Sequence, residues 1–117
     1  VFAYLRTRSV PPQHRPYPPL AEVARSQAVF EFRNVRGTLV GFRCPVWMKG
    51  VNVPGYHLHF LAADHTAGGH VLDLSFSDLP VWLDTCHSLT VELPRKGDFG
   101  ALNLGKDRGR ELEQVEK

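Results

Sequence analysis

The chain has 117 residues, a length that fits one domain with one hydrophobic core. Hydrophobic residues make up 43% and charged residues 22%, as in an ordinary globular protein. The net charge of +2 is too small to indicate a nucleic-acid partner. The sequence has no run of about eighteen apolar residues that would predict a membrane-spanning helix.

The N-terminal part predicts a strand, an extended connector and a short helix. Residues 2–8, "FAYLRTR", alternate between apolar and polar types, which is typical of a strand. Residues 10–19 contain five prolines and predict an extended connector that cannot lie within a sheet. Pro19 suits the first position of a helix over "LAEVARSQ" at residues 20–27.

The remaining chain predicts further strands. The pattern predicts a strand at residues 29–35 and another at 38–44, with a turn at Arg36–Gly37 between them. The two strands and the turn together predict a β-hairpin. Additional strands are predicted at 56–63, at 70–76 and, for "SLTVELP", at 88–94. The closing "RELEQVEK" predicts a polar tail or a short helix. The fold class is therefore α+β, mainly β: an antiparallel or mixed, half-barrel-like sheet with one or two short helices.

The two cysteines stand alone in the sequence. Cys44 and Cys86 are isolated, and neither belongs to a CxxC pair. We expect two reduced, buried thiols, with a disulfide between them as the alternative that sequence leaves open.

Four of the six histidines lie within the sixteen-residue stretch "GYHLHFLAADHTAGGH". His57 and His59 are two residues apart, so they share one face of a strand. A hairpin centred at Asp64–His65 places His59 directly opposite His70 and makes His57 the diagonal neighbour of His70. Three imidazoles then converge, close enough for a zinc ion with Zn–N distances of about 2.0–2.1 Å.

This ligand set leaves coordination positions open. Three imidazoles without a fixed fourth protein ligand are typical of catalytic rather than structural zinc. His65 at the tip of the loop and His87 are expected to lie outside the set. A cupin is an alternative, because cupins also use a His-x-His strand followed by an acid. In a cupin, however, the last histidine comes after an intervening strand pair, whereas His70 follows His59 by eleven residues.

Longer stretches resemble one enzyme family. "RTRSVPPQ", "FEFRNVRGTLVGFRCP", "VNVPGYHLHFLAADHTAGGHVLDL" and "RELEQVE" resemble the C-terminal half of α-acetolactate decarboxylase, and the similarity covers nearly the whole chain. The combination of "NVPGYHLHF" with "GGHVLD" carries the resemblance. It implies a zinc enzyme that decarboxylates 2-acetolactate to acetoin, in the butanediol branch of fermentation. It also implies that residues 1–117 are a C-terminal zinc-binding domain whose N-terminal partner domain is absent.

The resemblance also implies roles for individual residues. The zinc ligands of the family correspond to His57, His59 and His70, the same set that strand geometry predicts. The catalytic arginine corresponds to Arg8, with Arg6 as the fallback. A glutamate near the C-terminus that reaches the metal corresponds to Glu116, with Glu111 and Glu113 as alternatives. We expect a small-molecule substrate, a homodimer and a cytoplasmic location, with no membrane or nucleic-acid partner. A truncated domain of the same family that binds metal but is catalytically inert is the alternative function.

Overall fold

The computed structural model describes residues 1–116, and for Gln114 and Glu116 it describes the backbone only. Five β-strands form one sheet, and two short α-helices accompany it. The strands are β1 (Phe2–Ser9), β2 (Ala28–Val35), β3 (Gly37–Cys44), β4 (Gly55–Ala62) and β5 (Gly68–Ser75). The helices are α1 (Leu20–Arg25) and α2 (Gly109–Glu116), with 3₁₀ turns at Val46–Met48 and Asp98–Ala101. The predicted α+β class with a mainly antiparallel sheet is confirmed. Neither described helix has the length and apolar character needed to cross a bilayer.

The order of strands in the sheet is β2-β1-β5-β4-β3, and every neighbouring pair is antiparallel. The hairpin predicted at Arg36–Gly37 is therefore wrong. β2 pairs with β1 and β3 pairs with β4, so the two strands lie at opposite edges although only Arg36 separates them in the sequence. The local turn pattern does not reveal these long-range pairings.

This connection requires a strongly curved sheet. Four inter-strand spacings of about 4.8 Å would place the edges of a flat five-stranded sheet about 19 Å apart. One linking residue bridges only about 7 Å between its neighbours. The sheet must therefore curl until its edges approach each other at the end marked by Val35 and Gly37. This agrees with the half-barrel form expected from the sequence.

The hydrophobic core packs against the curled sheet. Its buried cluster contains Phe2, Leu5, Phe60 and Ala62. The rings of Phe2 and Phe60 meet edge to face with 5.8 Å between centroids, and Phe32 of β2 lies 5.9 Å from Phe60. These contacts join β1 and β2 to β4, which lies on the other side of the central strand β5. The residues that alternate with Phe60 along β4, His57 and His59 among them, are therefore directed to the other face.

Two expectations about the outer segments are corrected. Pro19 is the N-cap of α1 and has an extended ψ of 144°, so it precedes the helix instead of starting it. The strand predicted at 88–94 does not form: residues 76–97 contain no strand, and Leu89, Val91 and Leu93 are all exposed. An alternating pattern does not form a strand without a neighbouring strand to pair with.

Both cysteines are free thiols, as expected, but only Cys44 is buried. Cys86 is exposed because it lies in the same segment without regular structure.

Candidate metal centre

The β4–β5 hairpin brings three histidines together. His59 is directly opposite His70 in the strand register, which confirms the predicted hairpin centre. His57 lies two residues earlier on β4 and on the same face. The ring centroids of the three imidazoles are separated by 5.3, 4.8 and 5.4 Å. The structure thus brings together the three residues selected from the sequence.

The spacing of the ring nitrogens fits a single metal ion. Two ligands bound at about 2.0–2.1 Å to a tetrahedral zinc ion lie about 3.3 Å from each other. The Nε2 atoms of His57 and His59 are 3.2 Å apart. One nitrogen from each of the three histidines lies within 4.8 Å of the others. Small side-chain rotations can shorten this separation to the value of about 3.3 Å expected around a tetrahedral ion. Imidazole nitrogens are ligands suited to zinc and other divalent transition metals. The residues present therefore fit a mononuclear metal site.

The histidines differ in their exposure. His70 is buried, His57 is partly buried and His59 is exposed. A metal held by this set would be anchored in the sheet on one side and accessible from solvent on the other. This leaves room for a small ligand, as a catalytic site requires.

Gly69 allows the close strand packing beside His70. Its φ is +152°, and a Cβ atom at this position would lie 2.6 Å from the carbonyl oxygen of Arg8. Real Cβ atoms essentially never approach a backbone oxygen so closely. Glycine therefore lets β5 lie against β1 at the point where Arg8 and His70 are opposite each other.

Arg8 is the charged residue closest in register to the histidines. It is directly opposite His70 on β1, and only 8% of its surface is exposed. Its Nη2 donates a hydrogen bond of 2.8 Å to the carbonyl oxygen of Val115 in α2. Arg6, the alternative from the sequence, lies opposite Glu31 of β2 and Asp73 of β5 in the strand register. A register shift in the β1–β5 pair separates it from Arg8. Of the two arginines, Arg8 is the one beside the histidine cluster.

Helix α2 packs close to Arg8. Val115 is buried, and α2 contacts α1. At its outer surface, Glu113 forms an exposed ion pair of 3.7 Å with Lys49, and Glu111 forms one of 3.7 Å with Arg108. Glu116 belongs to the last turn of α2, and its side chain lies outside the described residues.

The two remaining histidines of interest lie away from the cluster. His65 is exposed in the loop between β4 and β5, in a left-handed conformation with φ of 60°. Asp64 beside it is a turn residue: its carboxylate accepts hydrogen bonds from the backbone N–H and the hydroxyl of Thr66, which lower the pKa of Asp64. His87 is exposed in the segment without regular structure.

Sequence reasoning missed two neighbours of the histidines. Val40 is directly opposite His59, and Phe42 is directly opposite His57, both on β3. They were missed because the sequence predicted that β3 pairs with β2. Only the correct strand order places β3 beside the histidine strand.

The fold and the site together define a class: a curled antiparallel sheet that presents three imidazoles and a buried arginine, a set suited to an open, catalytic type of metal centre. Comparison with known proteins then identifies the family. The Alpha-acetolactate decarboxylase family matches residues 1–106, a range that includes Arg8 and all three histidines. The chain belongs to the alpha-acetolactate decarboxylase family.

Individual relatives show how far this similarity extends. The chain is 53% identical over 116 residues to an alpha-acetolactate decarboxylase of Methanosarcina mazei. The aligned region covers 99% of this chain and 40% of that protein. It is 44% identical to one from Brevibacillus brevis, again covering 40% of that protein. The crystal structure of alpha-acetolactate decarboxylase from Bacillus subtilis strain 168 matches with a TM-score of 0.93 and 39% identity, over 98% of this chain and 50% of that one. The chain thus spans 40% to 50% of the length of these relatives.

Proposed function

We propose that this chain takes part in the decarboxylation of 2-acetolactate to acetoin, as the metal-binding portion of an acetolactate decarboxylase. The observation that carries the proposal is the convergence of His57, His59 and His70 beside the buried Arg8, in a chain of this family. The relatives that match it are named for this activity. We further propose that residues 1–117 form the C-terminal domain of a two-domain protein, since the chain spans only 40–50% of the relatives' length.

The three histidines would hold one Zn²⁺ ion. When bound, such an ion supplies a Lewis acid that stabilises negative charge on substrate oxygens. The nitrogen-only donor set and the 3.2 Å separation of two Nε2 atoms support zinc over magnesium or calcium, which prefer oxygen ligands.

Arg8 would bind the carboxylate of the substrate. A guanidinium pairs well with a carboxylate, and the burial of Arg8 strengthens the interaction because less water screens it. Decarboxylation breaks the bond between the carboxylate carbon and the carbon that bears the hydroxyl group. The electron pair stays on the organic fragment as an enediolate, and carbon dioxide leaves. Arg8 would hold the carboxylate in place for this step.

A carboxylic acid of α2 would return a proton to the enediolate carbon, which gives acetoin. We assign this role to Glu116. Glu111 and Glu113 are less suitable because each forms an exposed ion pair at 3.7 Å with a basic side chain. The hydrogen bond from Arg8 to Val115 supports the assignment, since it fastens the last turn of α2 to the strand beside His70.

A second candidate is a domain that binds metal but does not catalyse the reaction alone. It is favoured by the coverage of only 40–50% of the relatives and by exposed large apolar side chains, such as Trp82 at 86% and Leu83 at 92%. Strands β2 and β3 are also the edges of the sheet, which supports pairing with another polypeptide. We further propose a homodimer that acts in the cytoplasm.

Acetoin release separates the two candidates. The zinc-loaded chain is incubated with racemic 2-acetolactate, and acetoin and carbon dioxide are quantified against buffer with the same zinc concentration. The proposal predicts enzymatic release that His59→Ala abolishes and that the matched loop variant His65→Ala retains. If the fully zinc-loaded wild-type chain gives no acetoin above the buffer rate, the inert domain is the correct description.

A further inference from the structure

We propose that Val40 and Phe42 form the apolar side of the substrate site and determine which alkyl groups the substrate carries. This inference rests on the proposed function and adds the residues that set its specificity. The ligand class is a branched 2-hydroxy-3-oxo acid with small alkyl substituents. Neither residue contributes to the buried core, so their position beside the histidines needs another explanation.

The strand register places both side chains on the face that carries the histidines. Val40 is directly opposite His59, and Phe42 is directly opposite His57, in the antiparallel β3–β4 pair. Directly opposed residues point to the same side of a sheet, with Cβ atoms about 4.5–5.5 Å apart. A small molecule bound at the imidazoles and extending toward β3 therefore meets an isopropyl group and a phenyl ring.

The exposure of these two residues fits a ligand contact. Val40 is 68% exposed and Phe42 is 64% exposed. Apolar side chains grouped on a sheet face beside polar, metal-ligating residues are typical of a binding surface. They offer apolar surface against which the alkyl groups of a substrate bound at the imidazoles would leave water.

The opposite side of the site carries charge. Across the sheet, Arg8, His70, His59 and Val40 form one continuous row of directly paired residues on neighbouring strands. Arg8 supplies a guanidinium at the β1 end of this row, and Val40 with Phe42 supplies apolar surface at the β3 end. A molecule with a carboxylate at one end and alkyl groups at the other matches this polarity in one orientation only. The carboxylate lies toward β1 and the alkyl groups lie toward β3.

The test compares two substrates that differ by one methylene group. kcat/KM is measured for 2-acetolactate and for its homologue with an ethyl group in place of the methyl group on the hydroxyl-bearing carbon. Because truncation removes apolar surface that would cover the extra methylene, Phe42→Ala and Val40→Ala in the zinc-loaded chain are each expected to lower the ratio of ethyl to methyl substrate by about fourfold, the effect of one buried methylene. Phe42→Leu keeps a large apolar residue on the strand and is expected to give an intermediate ratio. It keeps the test valid if Phe42→Ala fails to fold.

Tyr56→Ala is the matched control. Tyr56 is 72% exposed and adjacent to His57 on β4, so its side chain points to the other face of the sheet. This variant also removes an exposed aromatic ring but is expected to leave the ratio unchanged. A ratio that stays the same in both Val40→Ala and Phe42→Ala, or that changes equally in Tyr56→Ala, overturns the inference while leaving the proposed function intact.

A binding measurement provides a readout that does not depend on turnover. Calorimetry with the zinc-loaded chain compares 2-hydroxy-2-methylpropanoate with 2-ethyl-2-hydroxybutanoate. Phe42→Ala is expected to weaken binding of the larger acid more than that of the smaller one, so that the ratio of their Kd values shifts toward the smaller acid by up to about fourfold per methylene. If the wild-type chain releases no acetoin, the proposed function fails, but this shift still supports the apolar side of the site. An unchanged ratio, or no binding of either acid, overturns it.

Discussion

Replacing Arg8 by methionine should loosen helix α2. The carbonyl of Val115 lies in the last turn of α2, where carbonyl groups have no partner within the helix. Arg8 satisfies it with a hydrogen bond of 2.8 Å. Methionine keeps much of the apolar stem of arginine and removes the guanidinium. Because a hydrogen bond to a charged group contributes about 1.5–3 kcal/mol, the free energy that holds the end of α2 in place should fall by this amount.

Hydrogen exchange measures this change directly. A helix of eight residues is too short to persist alone, so its protection depends on its contacts with the rest of the fold. Since 1.4 kcal/mol corresponds to a factor of ten, α2 amides should exchange about ten- to a hundredfold faster in Arg8→Met. Arg6→Met is the control, because Arg6 makes no hydrogen bond to α2 among the described side chains. Unchanged exchange in Arg8→Met, or equal acceleration in Arg6→Met, would refute the anchoring role.

Three further predictions concern the sheet and its turn. Leu5 is fully buried, so Leu5→Ala should lower the free energy of unfolding in urea by about 2–5 kcal/mol. Gly69→Ala forces a Cβ against a backbone carbonyl and should weaken zinc binding by about tenfold or more in a chelator competition, whereas Gly100→Ala, in open space, should not. Hydrogen bonds from Thr66 hold the pKa of Asp64 below 3.8, so this carboxylate stabilises the fold above about pH 3.8 and loses that effect as the pH falls through the folded-state pKa. NMR titration should show the lowered pKa, and Thr66→Val should raise it.

The histidine cluster could be predicted because all its determinants are local. Strand parity places His57 and His59 on one face, and the short loop after β4 sets the register of β5. His59 and His70 are accordingly opposite each other in the structure. Local pattern also indicated β1 and β5 correctly, to within about two residues at each end.

The strand order could not be predicted, because it depends on contacts far apart in the sequence. The turn pattern at Arg36–Gly37 favours a hairpin, but packing of Phe32 and Phe2 around Phe60 closes the sheet with β2 and β3 at opposite edges. This order makes Val40 a neighbour of His59. Parity could not separate Arg8 from Arg6 either, since they share a face. Their difference arises from the register shift in the β1–β5 pair and from the contact of Arg8 with α2.

Zinc stoichiometry tests the central claim most directly. Metal-free protein is titrated with zinc, and bound metal is counted after gel filtration for the wild type and for single alanine variants of His57, His59, His70 and His65. We expect one equivalent in the wild type and in His65→Ala, and weak or no retention in the other three variants. Full retention in His59→Ala, or loss in His65→Ala equal to that in His59→Ala, would contradict a metal centre built from these three imidazoles.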